Sequence, residues 1–261
     1  MLTISQLKEQ IRALGIAPDD TVLIHTSLRA IGPIENGADG LIDAFRECLP
    51  EGLFLVPTHT WDNVNRQNPV YDVRTSIPCI GTLPRVAAFR EDGYRSLHPT
   101  HSISGWGKDA EVFLGGEEKA GSPGPVGFAW ANLARRNAKI LLIGVGNNRN
   151  TFIHAVDEMV DLPDRLDPSP YEITIYGHQG ETYSCSFRGH YCSKSNDVSQ
   201  QFVNFDRAFT ELGVWQEGKL GNARVMVVDS AKCRDAVMKI YSRAKEDLCI
   251  RKMDLAPQLW R

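Results

Sequence analysis

Several features are scarce in this 261-residue chain, and each scarcity removes a class of protein. No run approaches the roughly 20 apolar residues that cross a bilayer. The opening residues, MLTISQLKEQIRALG, lack the basic start and apolar stretch of a secretion signal. A cytoplasmic protein with no membrane partner is expected. The six cysteines, at positions 48, 79, 185, 192, 233 and 249, show no CxxC or other paired spacing, which argues against a disulfide framework or a zinc ribbon. They read as reduced and mostly packed. A basic excess is missing too: 29 Lys and Arg against 32 Asp and Glu give a net charge of −3, with a pI near 6.2 and no footprint for nucleic acid. Without a Ser/Gly linker, a proline run, a charge block or an internal repeat, residues 1–261 read as one domain.

What is present is an ordinary globular composition, 42% hydrophobic and 23% charged, in a chain long enough to bury a substantial core. Its most informative stretch is KILLIGVGNNRNTFIHAVDEM, residues 139–159. The short apolar run bounded by glycines and asparagines predicts a strand buried on both faces of an α/β sheet. Gly144 and Gly146 permit a tight turn, and Asn150 or Thr151 caps a helix that turns Phe152, Ile153, Val156 and Val160 inward. On that helix His154 lies three residues from Asp157 and four from Glu158, so the imidazole shares a face with a carboxylate. Such a helix start, at the carboxyl end of a central strand, is where open α/β sheets place ligands.

The rest of the chain builds around it. Thr3 and Gln6 form a capping-box pattern for a first amphipathic helix ending at Gly15. A β-rich run, 21–25, leads into Thr26, Ser27, Leu28, Arg29, Ala30, Ile31 and Gly32, whose hydroxyls, free N–H groups and guanidinium suit an anion. A helix over 40–49 and a strand over 54–57 lead to Thr58, His59, Thr60, Trp61 and Asp62, at the head of a long irregular loop reaching Ser76 and containing Asp72. Loops of that length in compact domains are commonly functional, which makes His59, Trp61, Asp62 and Asp72 candidates for holding substrate. A helix follows Gly81, and His98 and His101 then flank Pro99 and Thr100, a spacing that places no third metal ligand. A loop over 121–127 leads into a helix over 128–136. A hairpin over 171–187 and a strand over 223–228 predict a mixed sheet, and helices are expected over 202–212 and 233–248. His178 and His190 read as surface or structural.

Four segments in this order, HTSLRAIG (25–32), the stretch from GTLP at 81 through HPTHS (98–102), GSPGPVG (121–127) and ILLIGVGNNRNTFIHAVDE (140–158), resemble the antibiotic-type N-acetyltransferases, the aminoglycoside 3-N-acetyltransferase family. The resemblance implies a three-layer α/β/α sandwich with a mixed central sheet, distinct from the GNAT acetyltransferases. It implies acetyl-CoA as the donor and a small-molecule amine as the acceptor; whether the chain assembles as a homodimer is left open. The turn from Thr26 to Gly32 would then bind the pantetheine and phosphates of CoA, His154 would be the base, and His98 and Ser102 would lie beside the active site. Family members often carry a glutamate three residues after the histidine. Here Asp157 stands there with Glu158 next, so either carboxylate could orient His154.

The function expected is direct acetyl transfer to an amine, the 3-amino group of a 2-deoxystreptamine aminoglycoside first and another small amine second. Neutral imidazole suits removal of the amine's proton near pH 7. Backbone N–H groups around residues 26–28 or the Ser102 hydroxyl are the expected oxyanion donors. A metal-dependent hydrolase using His59, His98 and His101 is the rival from another enzyme class, although no bound metal is expected.

Overall fold

The computed structural model describes residues 1–261. Seven strands form the main sheet in the order β4-β5-β2-β1-β6-β10-β9. At its centre β1 (Thr21–Thr26) runs parallel to β2 (Leu53–Pro57) on one side and to β6 (Lys139–Ile143) on the other. Antiparallel neighbours extend both flanks: β5 (Ile103–Trp106) and β4 (Tyr94–Arg95) beyond β2, and β10 (Ala223–Asp229) and β9 (Trp215–Leu220) beyond β6. The sheet is therefore mixed, as expected.

Alternation along the central strands explains the layering. Val22, Ile24, Phe54, Val56, Leu141 and Ile143 bury themselves against α1 (Ile4–Ala13), α3 (Gly37–Cys48) and α4 (Thr82–Ala88). Leu23, Leu53, Leu55, Ile140 and Leu142 face the other way, towards α6 (Ala129–Asn132), α7 (Phe152–Met159), α8 (Asp206–Glu211) and α9 (Ser230–Arg243). Each such fully buried aliphatic side chain contributes roughly 1.5–3 kcal/mol, and with both faces covered the result is three layers. The remaining helices, α2 (Leu28–Ile31) and α5 (Ala110–Leu114), are single turns. No helix is long and apolar enough to cross a membrane.

The hairpin of β7 (Tyr171–Tyr176) and β8 (Thr182–Phe187) does not join the main sheet. It takes β3 (Val70–Asp72) as a parallel partner and forms a separate three-stranded sheet around Tyr71, Ile173, Ile175 and Phe187. Arg95 ties the two sheets together. Its buried guanidinium donates to the carbonyls of Val73 (3.1 Å), Ser76 (2.8 Å) and Thr58 (3.3 Å) and lies over the Tyr71 ring. Three expected helices are shorter than their patterns suggest; the one expected over 233–248 is α9, which ends at Arg243. The 128–136 segment is α6 followed by a 3-10 turn, and Val198–Phe205 is 3-10 before α8 begins.

Candidate active site

The carboxyl ends of β1, β2 and β6 share one edge of the sheet, and a cleft of about 650 Å³ opens there. This is the position a parallel sheet with neighbours on both sides of its central strand offers a ligand. From β1 it takes His25 and Thr26, from the end of β2 His59 and Trp61, and from beyond β6 Asn148, Arg149, Asn150 and His154. Gly144 lets the two central loops meet. Its φ of +65° favours glycine, and a Cβ there would lie 2.4 Å from that of Ala30.

His154 projects from the first turn of α7 into the cleft wall with 11% of its side chain exposed. Its Nδ1 lies 3.8 Å from Asp157 Oδ2. Asp157 is buried, takes the Tyr241 hydroxyl on Oδ1 (3.0 Å) and has Arg165 Nε 3.4 Å from Oδ2. Arg165 in turn grips Asp247 with both terminal nitrogens, at 2.8 and 2.5 Å. Glu158 faces away from His154. Its carboxylate accepts the Ser122 hydroxyl and the Gly124 N–H (2.7 Å), fastening the 121–127 loop to α7. Gly124 permits that contact, since a Cβ there would lie 2.9 Å from the Cβ of Ala155.

Burial sets the protonation states. It pushes the His154 imidazole down to about 3, with the Arg165 charge acting in the same direction. It pushes the Asp157 carboxyl up to about 7, against the opposing pull of Arg165 and Tyr241. His25 is also driven down to about 3 by burial. His59 and His101 are held well below the usual imidazole range, first by burial and then by neighbouring imidazoles. At neutral pH these four imidazoles are uncharged hydrogen-bonding groups.

Aminoglycoside 3-N-acetyltransferase is the family whose model matches this chain, over residues 23–242. The chain belongs to that family. Among relatives it is 25% identical to aminoglycoside N(3)-acetyltransferase III of Serratia marcescens, over 85% of this chain and 91% of that one. It is 26% identical to aminoglycoside N(3)-acetyltransferase IV of a Salmonella species, over 93% and 87%. Among solved structures, aminoglycoside acetyltransferase AAC(3)-Xa superimposes with a TM-score of 0.76 at 26% identity, covering 90% of each chain. A mutant of AAC(3)-IVa in complex with a gentamicin does so with a TM-score of 0.76 at 25% identity, over 92% of this chain and 88% of that one. This acetyltransferase is thus an acyltransferase with a non-GNAT fold, and acetyl-CoA is the donor its family uses.

Within the acetyltransferase, His98 and Ser102 sit behind the cleft wall. His98 is buried, pushed down to about 4, and its ring is fully used: Nε2 bonds the Ser122 carbonyl (3.0 Å) and Nδ1 accepts the N–H groups of Thr100 (3.3 Å) and His101 (3.0 Å). No lone pair is left for a proton in flight or a metal, so the ligand set His59, His98 and His101 is not assembled. The Ser102 hydroxyl donates to Thr58 O (2.8 Å) and contacts Thr58 Oγ1 (2.9 Å), which turns it from the cleft. The turn after β1 is the other segment expected to donate. There Ser27 N–H is committed to Ile143 O (2.9 Å), whereas Leu28 and Arg29 N–H find no acceptor inside the protein.

Of the turn residues only Thr26 lines the cleft, and its buried Oγ1 has no partner. Arg29 is exposed, Ile31 is core, and Gly32, at φ +95°, closes α2. An unpartnered hydroxyl beside two free N–H groups is a fit for a polar, anionic cosubstrate. In the long loop His59 and Trp61 line the cleft, Trp61 being 48% exposed at its mouth. Asp62 lies outside the wall, and Asp72 is committed to Arg74 (2.9 and 2.8 Å). His190, expected as a surface or structural residue, is exposed and packs its ring 4.0 Å from that of His154, with Nε2 3.2 Å from His101 Nε2. Asp197 lines the cleft as well.

Proposed function

We propose that this protein transfers the acetyl group of acetyl-CoA directly to a primary amine, with His154 as general base and Asp157 as the carboxylate that orients it. The acceptor class is an amino sugar; the family's name specifies the 3-amino group of an aminoglycoside, and a solved relative carries a gentamicin. One observation carries the mechanism: an uncharged imidazole in the cleft wall turns its Nδ1 edge to a buried carboxylate braced by Arg165 and Tyr241.

Bound acetyl-CoA supplies an acetyl group already activated as a thioester. An amine that attacks a carbonyl carbon must shed a proton as the N–C bond forms, and the neutral His154 ring has a lone pair to take it; as the C–S bond breaks, the imidazolium gives that proton to the departing sulfur, which leaves as free thiol and restores the neutral ring. Asp157 stabilises the imidazolium as the third member of a triad does, and Arg165 and Tyr241 keep the carboxylate in place. Thr26 Oγ1 and the N–H groups of Leu28 and Arg29 hold the donor's polar groups. His190 packs at a tilt of 37° against the His154 ring and limits its rotation away from the acceptor. Free thiol should appear when an amino sugar is added to protein and acetyl-CoA, and should be largely lost in His154→Ala. Failure of every amine to release thiol would reject the proposal.

A further inference from the structure

The charges that face the cleft are few. Among its lining side chains Asp197 is the single carboxylate, and Arg149 the single permanent cation. Of the other acids around the base, Asp157 is engaged with Arg165 and Tyr241, Glu158 with Ser122 and Gly124, and Asp72 with Arg74, while Asp62 and Asp161 are exposed and lie outside the cleft wall. What the wall does offer is neutral. His25 Nε2, Thr26 Oγ1, His59 Nε2 and Asn150 Oδ1 are buried, line the cleft and have no hydrogen-bond partner. A buried polar atom left unpaired costs stability, so a wall with four of them is built for a ligand's hydroxyl or amide groups. A polycation needs something different, with a carboxylate for each desolvated ammonium.

We propose that the natural acceptor carries a single ammonium group on an otherwise uncharged, hydroxyl-bearing scaffold, anchored by Asp197, and is not a polycation. This rests on the acetyl-transfer reading above and narrows its substrate. Asp197 already takes Ser199 N–H (3.1 Å) and Oγ (2.5 Å) on Oδ1 and Gln200 Nε2 (2.9 Å) on Oδ2. A carboxylate has about four lone-pair sites, which leaves room for one ammonium but not for several. Arg149 on the same wall repels each further positive charge. The unpartnered neutral atoms are satisfied by the acceptor's hydroxyls or by the amides of the donor's arm, and neither source adds a charge. Trp61 at the mouth presents an aromatic face on which an uncharged sugar ring stacks.

The test is thiol release from acetyl-CoA with three hexosamines bearing one amine (glucosamine, galactosamine and mannosamine), with 2-deoxystreptamine bearing two, and with neamine bearing four. Each is measured at about 20 and about 200 mM salt, a range across which screening separates exposed charges. A hexosamine should give kcat/KM at least tenfold above neamine, changing less than about threefold with salt. Asp197→Asn, which keeps an oxygen for Ser199, should lower that kcat/KM about 10- to 100-fold, mainly through the acceptor's KM, with the KM for acetyl-CoA unchanged as the check on folding. Preference for neamine with a steep fall in salt would overturn the inference while leaving acetyl transfer intact. Full activity of Asp197→Asn on the best hexosamine would overturn it as well. Silence from every amine in the panel would overturn the acetyl-transfer reading, and this inference with it.

Discussion

At the scale of single residues, the account turns on how a histidine is kept neutral yet ready to accept a proton. Burial and the Arg165 charge depress His154 to about 3, so protonation is resisted until the acceptor arrives. The sign is clear: a depressed imidazole binds no proton on passing through pH 6.5 from above. The ring nitrogens of His154, followed by NMR, should therefore keep neutral-imidazole shifts from about pH 8 to about pH 5, with only a small step as the neighbouring Asp157 titrates near 7, whereas conversion to imidazolium shifts in that range would refute the burial argument. His154 and its acidic neighbours were legible in the chain because three- and four-residue spacings on a helix are local. Which acid faces the imidazole was not, since that depends on Ser122 and Gly124 drawing Glu158 away and on Tyr241 and Arg165 holding Asp157. His190 was invisible for the same reason, since a loop beyond β8 brings it to His154 across 36 positions of chain.

At the scale of elements, local rules carried far. The capping box at Thr3 and Gln6 opens α1, the apolar run after Lys139 is a fully paired central strand, and the hairpin occupies 171–187. Pairing between distant strands was not readable, and β3, β4, β5 and β9 are short or polar segments that become strands only because a neighbour offers an unpaired edge. The contact between the β1 turn and the β6 turn is an element-level joint with a sharp steric test. Gly144→Ala adds a Cβ 2.4 Å from Ala30 at a φ that side chains rarely adopt. Denaturant unfolding should show a loss of about 1–3 kcal/mol, with weaker acetyl-CoA binding as the 26–32 turn is displaced. A variant as stable as the parent, with unchanged binding, would mean that the joint does not position the turn.

At the scale of the whole molecule, two sheets with separate cores meet around one buried cation. Arg95 has no carboxylate partner; carbonyls of Thr58, Val73 and Ser76 satisfy it, and those carbonyls belong to the loop that brings His59 and Trp61 to the cleft. Removing the guanidinium strands its acceptors, so Arg95→Ala should lower stability by about 2–4 kcal/mol in chemical denaturation, and an unchanged midpoint would contradict that role. The composition and the ordered motifs made the layered α/β architecture and the family legible. They did not reveal that the hairpin forms its own sheet, or that one acid alone lines the cleft. The central claim, that this cleft performs base-assisted acetyl transfer through His154, is tested most directly by the rate of free-thiol release from acetyl-CoA in His154→Ala at saturating donor and amine. A fall of about 10²- to 10⁴-fold with acetyl-CoA affinity retained is predicted; turnover equal to that of the parent protein would contradict it.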